Sequence, residues 1–131
     1  MLLYIHMLQL TTVLFLIAGS ILAVVHAIAM KLYLYWNLWW FDLPMHFLGG
    51  IVVALLVFTL KDLRLVSRQL LKPFKVIIIV FLVAVTWELY ELWAGTLMES
   101  NYIFDTALDL IMGLLGGIVG YLVANSIRRL T

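Results

Sequence analysis

The chain has 131 residues, 66% of them hydrophobic and 11% charged, with a net charge of +1 and a mean hydropathy of +1.18. Too little polar surface is available to face water on all sides, which excludes a soluble globular domain, nearer half apolar. The near-neutral charge gives no basis for nucleic-acid binding, and the absence of cysteine excludes disulfides, thiolate metal sites and cysteine nucleophiles.

The N-terminal stretch MLLYIHMLQLTT lacks the basic region of a signal peptide, so the first apolar run is expected to be retained as a span. A spanning helix needs about 20 apolar residues. Four segments meet that length: residues 8–30, 43–60, 76–94 and 106–127. None alternates like a barrel strand, and lipid demands internal backbone hydrogen bonding, so all four are expected to be helices. The predicted fold class is all-α: a polytopic membrane protein with four transmembrane helices in one bundle, a single domain over residues 1–131. Between the first two spans, KLYLYWNLWWF (residues 31–41) reads as a short segment lying in the interface.

Basic residues orient the chain. Lys61, Arg64, Arg68, Lys72 and Lys75 lie between spans two and three, and Arg128 and Arg129 follow span four. Positive residues favour the cytoplasmic side, so both termini are expected inside. Trp36, Trp39, Trp40, Trp87 and Trp93 then fall near the outer ends of spans, where aromatic side chains favour the headgroup level.

On this topology Asp62 joins the inner basic loop, and the other six acids lie outside or in the outer third of a span. Asp42 and His46 are four apart, Glu88 and Glu91 three apart, and Asp105 and Asp109 four apart, so each pair shares a helix face. At about 1.5 Å per residue, His46 lies about 6 Å inward of Asp42, Asp109 about 6 Å inward of Asp105, and Glu88 about 9 Å inward of Ala94. His26 lies about 6 Å inward of Met30. Four spans thus bring polar groups to similar depths. Intramembrane charges are costly and should face one another, share protons or bind a cation. The same faces continue into small residues: Gly49 on span two, and Gly113, Gly116, Gly117 and Gly120 on span four, which form two overlapping GxxxG patterns suited to close helix packing.

Structural alternatives exist for several of these residues. Asp42 and Asp105 also suit helix N-caps, with Pro44 in the first turn. His26 also suits a hydrogen-bonded filler, Glu99 a solvated loop acid and His6 a lone interfacial residue. Capping explains neither His46, Glu88, Glu91 nor Asp109. The expected site therefore has Asp42, His46, Asp105 and Asp109 as metal ligands, Glu88 and Glu91 as catalytic carboxylates, and His26 as an additional member. Mixed Asp/Glu/His ligands suit Zn, Mn or Fe better than Ca.

DLPMHFLGG, WELYEL and DTALDLIMGLLGGIVG, in that order, resemble the VanZ-like membrane proteins and the related YjdF-type inner-membrane proteins. The blocks that carry the resemblance are Asp42 and His46, Glu88 and Glu91, and Asp105, Asp109 and Gly113, within residues 42–120. Leu43 stands where the VanZ pattern has Lys, Glu91 where it has Gln, and Asp109 where it has Asn; the last two resemble the YjdF branch. The resemblance implies a prokaryotic plasma-membrane protein with an outward-facing polar site.

Two carboxylate pairs and a histidine could hold a divalent metal and leave a glutamate as general base. The expected activity is that of a metal-dependent enzyme on lipid headgroups, lipid-linked phosphates or amphiphiles. The alternatives are a protein that binds or transports a cation or amphiphile, with a homo-oligomer as the form a four-span transporter would need, and a structural or accessory subunit. No HExxH, Walker or nucleophile-elbow motif is present, which leaves other hydrolase classes without support.

Overall fold

A computed structural model describes residues 2–95 and 101–129, with side chains from residue 10 onward; His6 as a side chain and Glu99 lie outside the described residues. Helix α1 runs Leu2–Lys31, α2 is the short Leu34–Asn37, α3 runs Asp42–Asp62, α4 Pro73–Ala94 and α5 Tyr102–Arg129. A 3-10 turn at Arg68–Leu71 precedes α4. Among the described residues there is no strand, and four helices are long and apolar enough to cross a membrane. The chain is an all-α polytopic membrane protein.

The helix ends follow local chemistry. Pro73 opens α4 after an extended Lys72, which suits a residue with no amide proton to offer and a neighbour held out of the α region. Gly95 closes α4 at φ 68°, its amide donating to the carbonyls of Glu91 and Leu92, a left-handed cap that glycine adopts without a Cβ penalty. Among the described residues, Tyr33 at φ 55° and Arg64 at φ 61° are the non-glycine residues with positive φ, and Tyr33 turns the chain from α1 into α2. The helices extend beyond the expected spans because Lys31, Asp62, Pro73, Arg128 and Arg129 continue the helical backbone after the apolar run ends.

Helix α3, the shortest of the expected spans, is the centre of the packing. Of its most apolar window 44% is buried, against 6% for α1. α1 packs on one side of α3, α5 crosses it closely, and α4 packs on both α5 and α3. The α3–α5 crossing is made by glycine. A Cβ on Gly50 would strike the backbone of Gly113 and Gly117, and one on Gly116 would strike the carbonyl group of Phe47. Gly120 faces Ile51 and Ala54 of α3, and Gly117 faces Val80 of α4. Without a hydrophobic drive between helices in lipid, such close backbone contact is a principal source of association. The expected seam is corrected at one position: Gly49 meets nothing within 4 Å and its neighbour Gly50 occupies the crossing. One residue is about 100° of helix rotation, enough to exchange a contact face for an open one.

The bundle divides into two halves. The half nearer Asp62 and Arg128 holds the apolar core, with Phe58, Val76, Val80, Ala54 and Ala124 fully buried. Arg128 closes that end by pairing with Asp62, donating to the Phe58 carbonyl at 3.3 Å and lying over the Phe58 ring at 4.8 Å. The opposite half holds Asp42, Glu88, Glu91, Asp105 and Asp109.

Candidate functional site

The first turns of α3 and α5 and the last turns of α4 meet around one imidazole. His46 Nε2 lies 3.5 Å from Asp42 Oδ1, 3.5 Å from Glu88 Oε1 and 3.9 Å from Asp109 Oδ2. His46, Glu88 and Asp109 are 9%, 3% and 1% exposed. Thr106 donates its hydroxyl to Glu88 Oε2 at 3.0 Å, which fixes that carboxylate. Among the described residues, His46 Nε2, Glu88 Oε1 and Asp109 Oδ1 are buried without a hydrogen-bond partner. An unmatched buried polar atom is costly, and charged groups more so.

The spacing suits coordination. N–H···O hydrogen bonds run about 2.7–3.2 Å, shorter than all three separations around His46. Metal–N and metal–O bonds of about 2.1 Å in a tetrahedron place neighbouring ligand atoms about 3.4 Å apart. Two groups could hold an ion, Asp42–His46–Asp109 and His46–Glu88–Glu91, with ligand atoms in each within 4.8 Å of one another. The donor set of one imidazole and several carboxylates fits Zn, Mn or Fe.

Of the expected site residues, Asp42, His46, Glu88, Glu91 and Asp109 come together. Glu88 and Glu91, expected as catalytic carboxylates, share a ligand group with His46. Asp105 belongs to neither group among the described residues, although it is near enough to act electrostatically on Glu88 and Asp109. The alternative reading of the two aspartates as N-caps is corrected. Phe41 caps α3 and no side chain caps it; Asp42 is already the first helical residue. Asp105 stands in the first turn of α5, its amide bonded to the Asn101 carbonyl. Acids in first turns still gain from the helix dipole.

His26 sits apart from the cluster, sharing a 2.8 Å hydrogen bond with the Tyr35 hydroxyl and an edge-on ring contact with Trp87. Burial, and then the carboxylates of Asp42 and Glu91, push the Tyr35 hydroxyl above its ordinary range. It is therefore neutral and keeps its proton for hydrogen bonding. Tyr35, half-buried, also packs on Phe41. Segment 31–41 thus reaches over the site at the end of the bundle away from Asp62 and Arg128. A cavity of about 370 Å³ opens beneath it, lined by Asp42, His46 and Glu91 with His26, Tyr35 and Trp87 nearby, and by glycines and apolar side chains elsewhere. Tyr35 and Thr106 were not singled out by sequence. Thr106 lies three residues before Asp109 and seven before Gly113, a spacing that places it on the site face. Tyr35 reaches the site through the turn at Tyr33, for which no sequence signal exists.

Four packed apolar helices define a polytopic membrane protein, here with a polar Asp/His/Glu cluster buried inside the bundle. The chain belongs to the family described as "Predicted membrane protein (DUF2238)", whose model matches residues 2–129. No curated protein and no solved structure matches the chain.

Proposed function

We propose that this is an inner-membrane protein of the VanZ-like and YjdF-type kind that binds a divalent metal, Zn, Mn or Fe, and acts as a metal-dependent enzyme on lipid headgroups, lipid-linked phosphates or amphiphiles. One observation carries the reading: His46 Nε2, Glu88 Oε1 and Asp109 Oδ1 are buried together without hydrogen-bond partners among the described residues, and the imidazole nitrogen stands from its carboxylates at nearly the edge length of a metal tetrahedron. A cation in either group would satisfy the imidazole nitrogen and a carboxylate beside it, and would offset the charge of the clustered carboxylates. Asp42, His46 and Asp109, one of the two groups, are the proposed ligands, with Glu88 beside His46. A bound divalent ion supplies Lewis acidity and a water acidic enough to ionise near neutral pH. Glu91 borders the cavity, where a carboxylate can take a proton from a group that enters; it is the proposed general base. Thr106 holds Glu88, and His26 with Tyr35 limits water at the outer face.

A second reading rests on His46 itself. As an imidazolium it would place one positive charge among three carboxylates at 3.5–3.9 Å, and the site would bind protons or a cation without turnover. Titration with Mn or Zn after chelation separates the two. The enzyme reading expects stoichiometric binding that is lost in Asp109→Asn, and phosphate release from a lipid phosphate that is lost in both Asp109→Asn and Glu91→Gln. Proton release on acidified–neutralised cycling with no metal uptake supports the second reading and rejects the first.

A further inference from the structure

The cavity beneath Tyr35 extends far beyond the polar cluster. Gly19 and Ala23 of α1, Gly49 and Val53 of α3, and Val80 and Ala84 of α4 form much of its wall. From Asp42 to Val53 is eleven steps along α3, about 16 Å, or about half of the 30 Å hydrocarbon core. Both α1 and α4 pack on α3, yet they scarcely touch each other. The slot therefore lies in the gap between them with α3 as its floor. At the outer end the gap is bridged by the ring contact of His26 with Trp87 and by the His26–Tyr35 hydrogen bond. These contacts close the gap at its polar end, and beyond them α1 and α4 stay apart.

We infer that the slot takes the hydrocarbon tail of a single-chain amphiphile that enters sideways from the bilayer between α1 and α4 and presents an anionic head to the Asp42–His46–Glu91 end; the head-group part of this inference rests on the metal-site reading above. A carbon-lined space stays dry, and leaving it empty forfeits packing contacts. In a bilayer the available filler is a lipid chain. The size selects one tail. At about 30 Å³ for a water-sized group, comparable to a methylene, about 370 Å³ holds about twelve such groups, a single medium-length chain and not two. Gly49 is the feature that keeps the floor open: an added Cβ there meets nothing within 4 Å, so its missing side chain serves the cavity and not a helix contact.

The test uses the full chain in phosphatidylcholine nanodiscs with dodecyl phosphate bearing a photoreactive diazirine at the chain end, and maps adducts by peptide mass spectrometry. Adducts are expected on the deep slot residues, Val53 and Val80 among them. Excess unlabelled dodecyl phosphate should remove them and didodecyl phosphate should not. Gly49→Leu should lower slot labelling at least tenfold, and Gly49→Ala by a smaller factor, with an unfolding temperature no lower than that of the unaltered protein. Adducts spread over the lipid-facing sides of α1 and α4, or slot labelling unchanged in Gly49→Leu, would overturn the inference. Metal content is read on the same sample. Slot labelling without metal rejects the metal site and keeps the tail slot, whereas metal without slot labelling does the reverse.

Discussion

Replacing Gly116 by alanine is the sharpest test of the packing that holds the site together. An added Cβ would collide with the Phe47 carbonyl oxygen and stand 2.7 Å from its carbon. Ordinary contact begins near 3.4 Å, so α3 and α5 must separate by at least about 0.7 Å at the crossing. The obstacle is backbone, which cannot rotate away. Overpacking of this kind costs about 1–3 kcal/mol, or about 5- to 150-fold in the folding equilibrium at 1.4 kcal/mol per decade. Phe47 adjoins His46, so the same shift moves the imidazole relative to Asp109. Two controls frame the result. Gly113→Ala adds a Cβ at 3.7 Å from Ala84 Cβ and 3.8 Å from the His46 carbonyl, which is tolerated contact. Gly49→Ala meets nothing and should gain about 0.5–1 kcal/mol from helix propensity alone. Reversible unfolding in mixed detergent micelles gives all three numbers. Gly116→Ala as stable as Gly49→Ala would refute the crossing.

Other outcomes follow from the same structure. Asp62→Asn leaves the Arg128 guanidinium without its carboxylate in a mostly buried end; breaking such a pair costs about 3–5 kcal/mol when fully buried, and with 21% of the Arg128 side chain exposed a loss of about 2 kcal/mol is expected in the same unfolding assay. Tyr35→Phe removes the His26 partner without changing the packed ring, and should cost about 1 kcal/mol while raising the hydrogen–deuterium exchange of residues 31–37. Thr106→Val unpins Glu88, which stands beside the ligand His46, and should weaken metal binding about 10-fold, the lower end of the usual scale for an outer partner of a ligand, as read by competition with a chelating dye. Alkaline phosphatase fused after Gly95 should be active and green fluorescent protein fused after Thr131 should fluoresce, as both termini facing the cytoplasm require.

The helices were legible because length and hydropathy suffice for spans, whereas their ends were not, since Lys31, Asp62 and Arg128 carry helical backbone past the apolar run. The meeting of Asp42, His46, Glu88, Glu91 and Asp109 was legible from spacing on three helices and a common depth. Finer distinctions lay below that resolution. Asp105 and Asp109 share a face, but one turn of height leaves Asp105 outside the ligand groups. Gly49 and Gly50 are indistinguishable in a glycine pair until the crossing angle is known. The covering of the site by Tyr35 depends on a left-handed Tyr33, which no residue type at that position announces. The cavity between α1 and α4 is a tertiary property, set by which helices touch, and a periodic pattern on one helix cannot report it.

The most direct measurement is the metal content of the protein, purified in mild detergent without chelator, beside a Glu88→Gln/Asp109→Asn variant. One Zn, Mn or Fe per chain in the protein and none in the variant is the predicted result. No metal in either, with the variant equally stable, would contradict the account and leave the cluster around His46 as a proton-sharing or structural network.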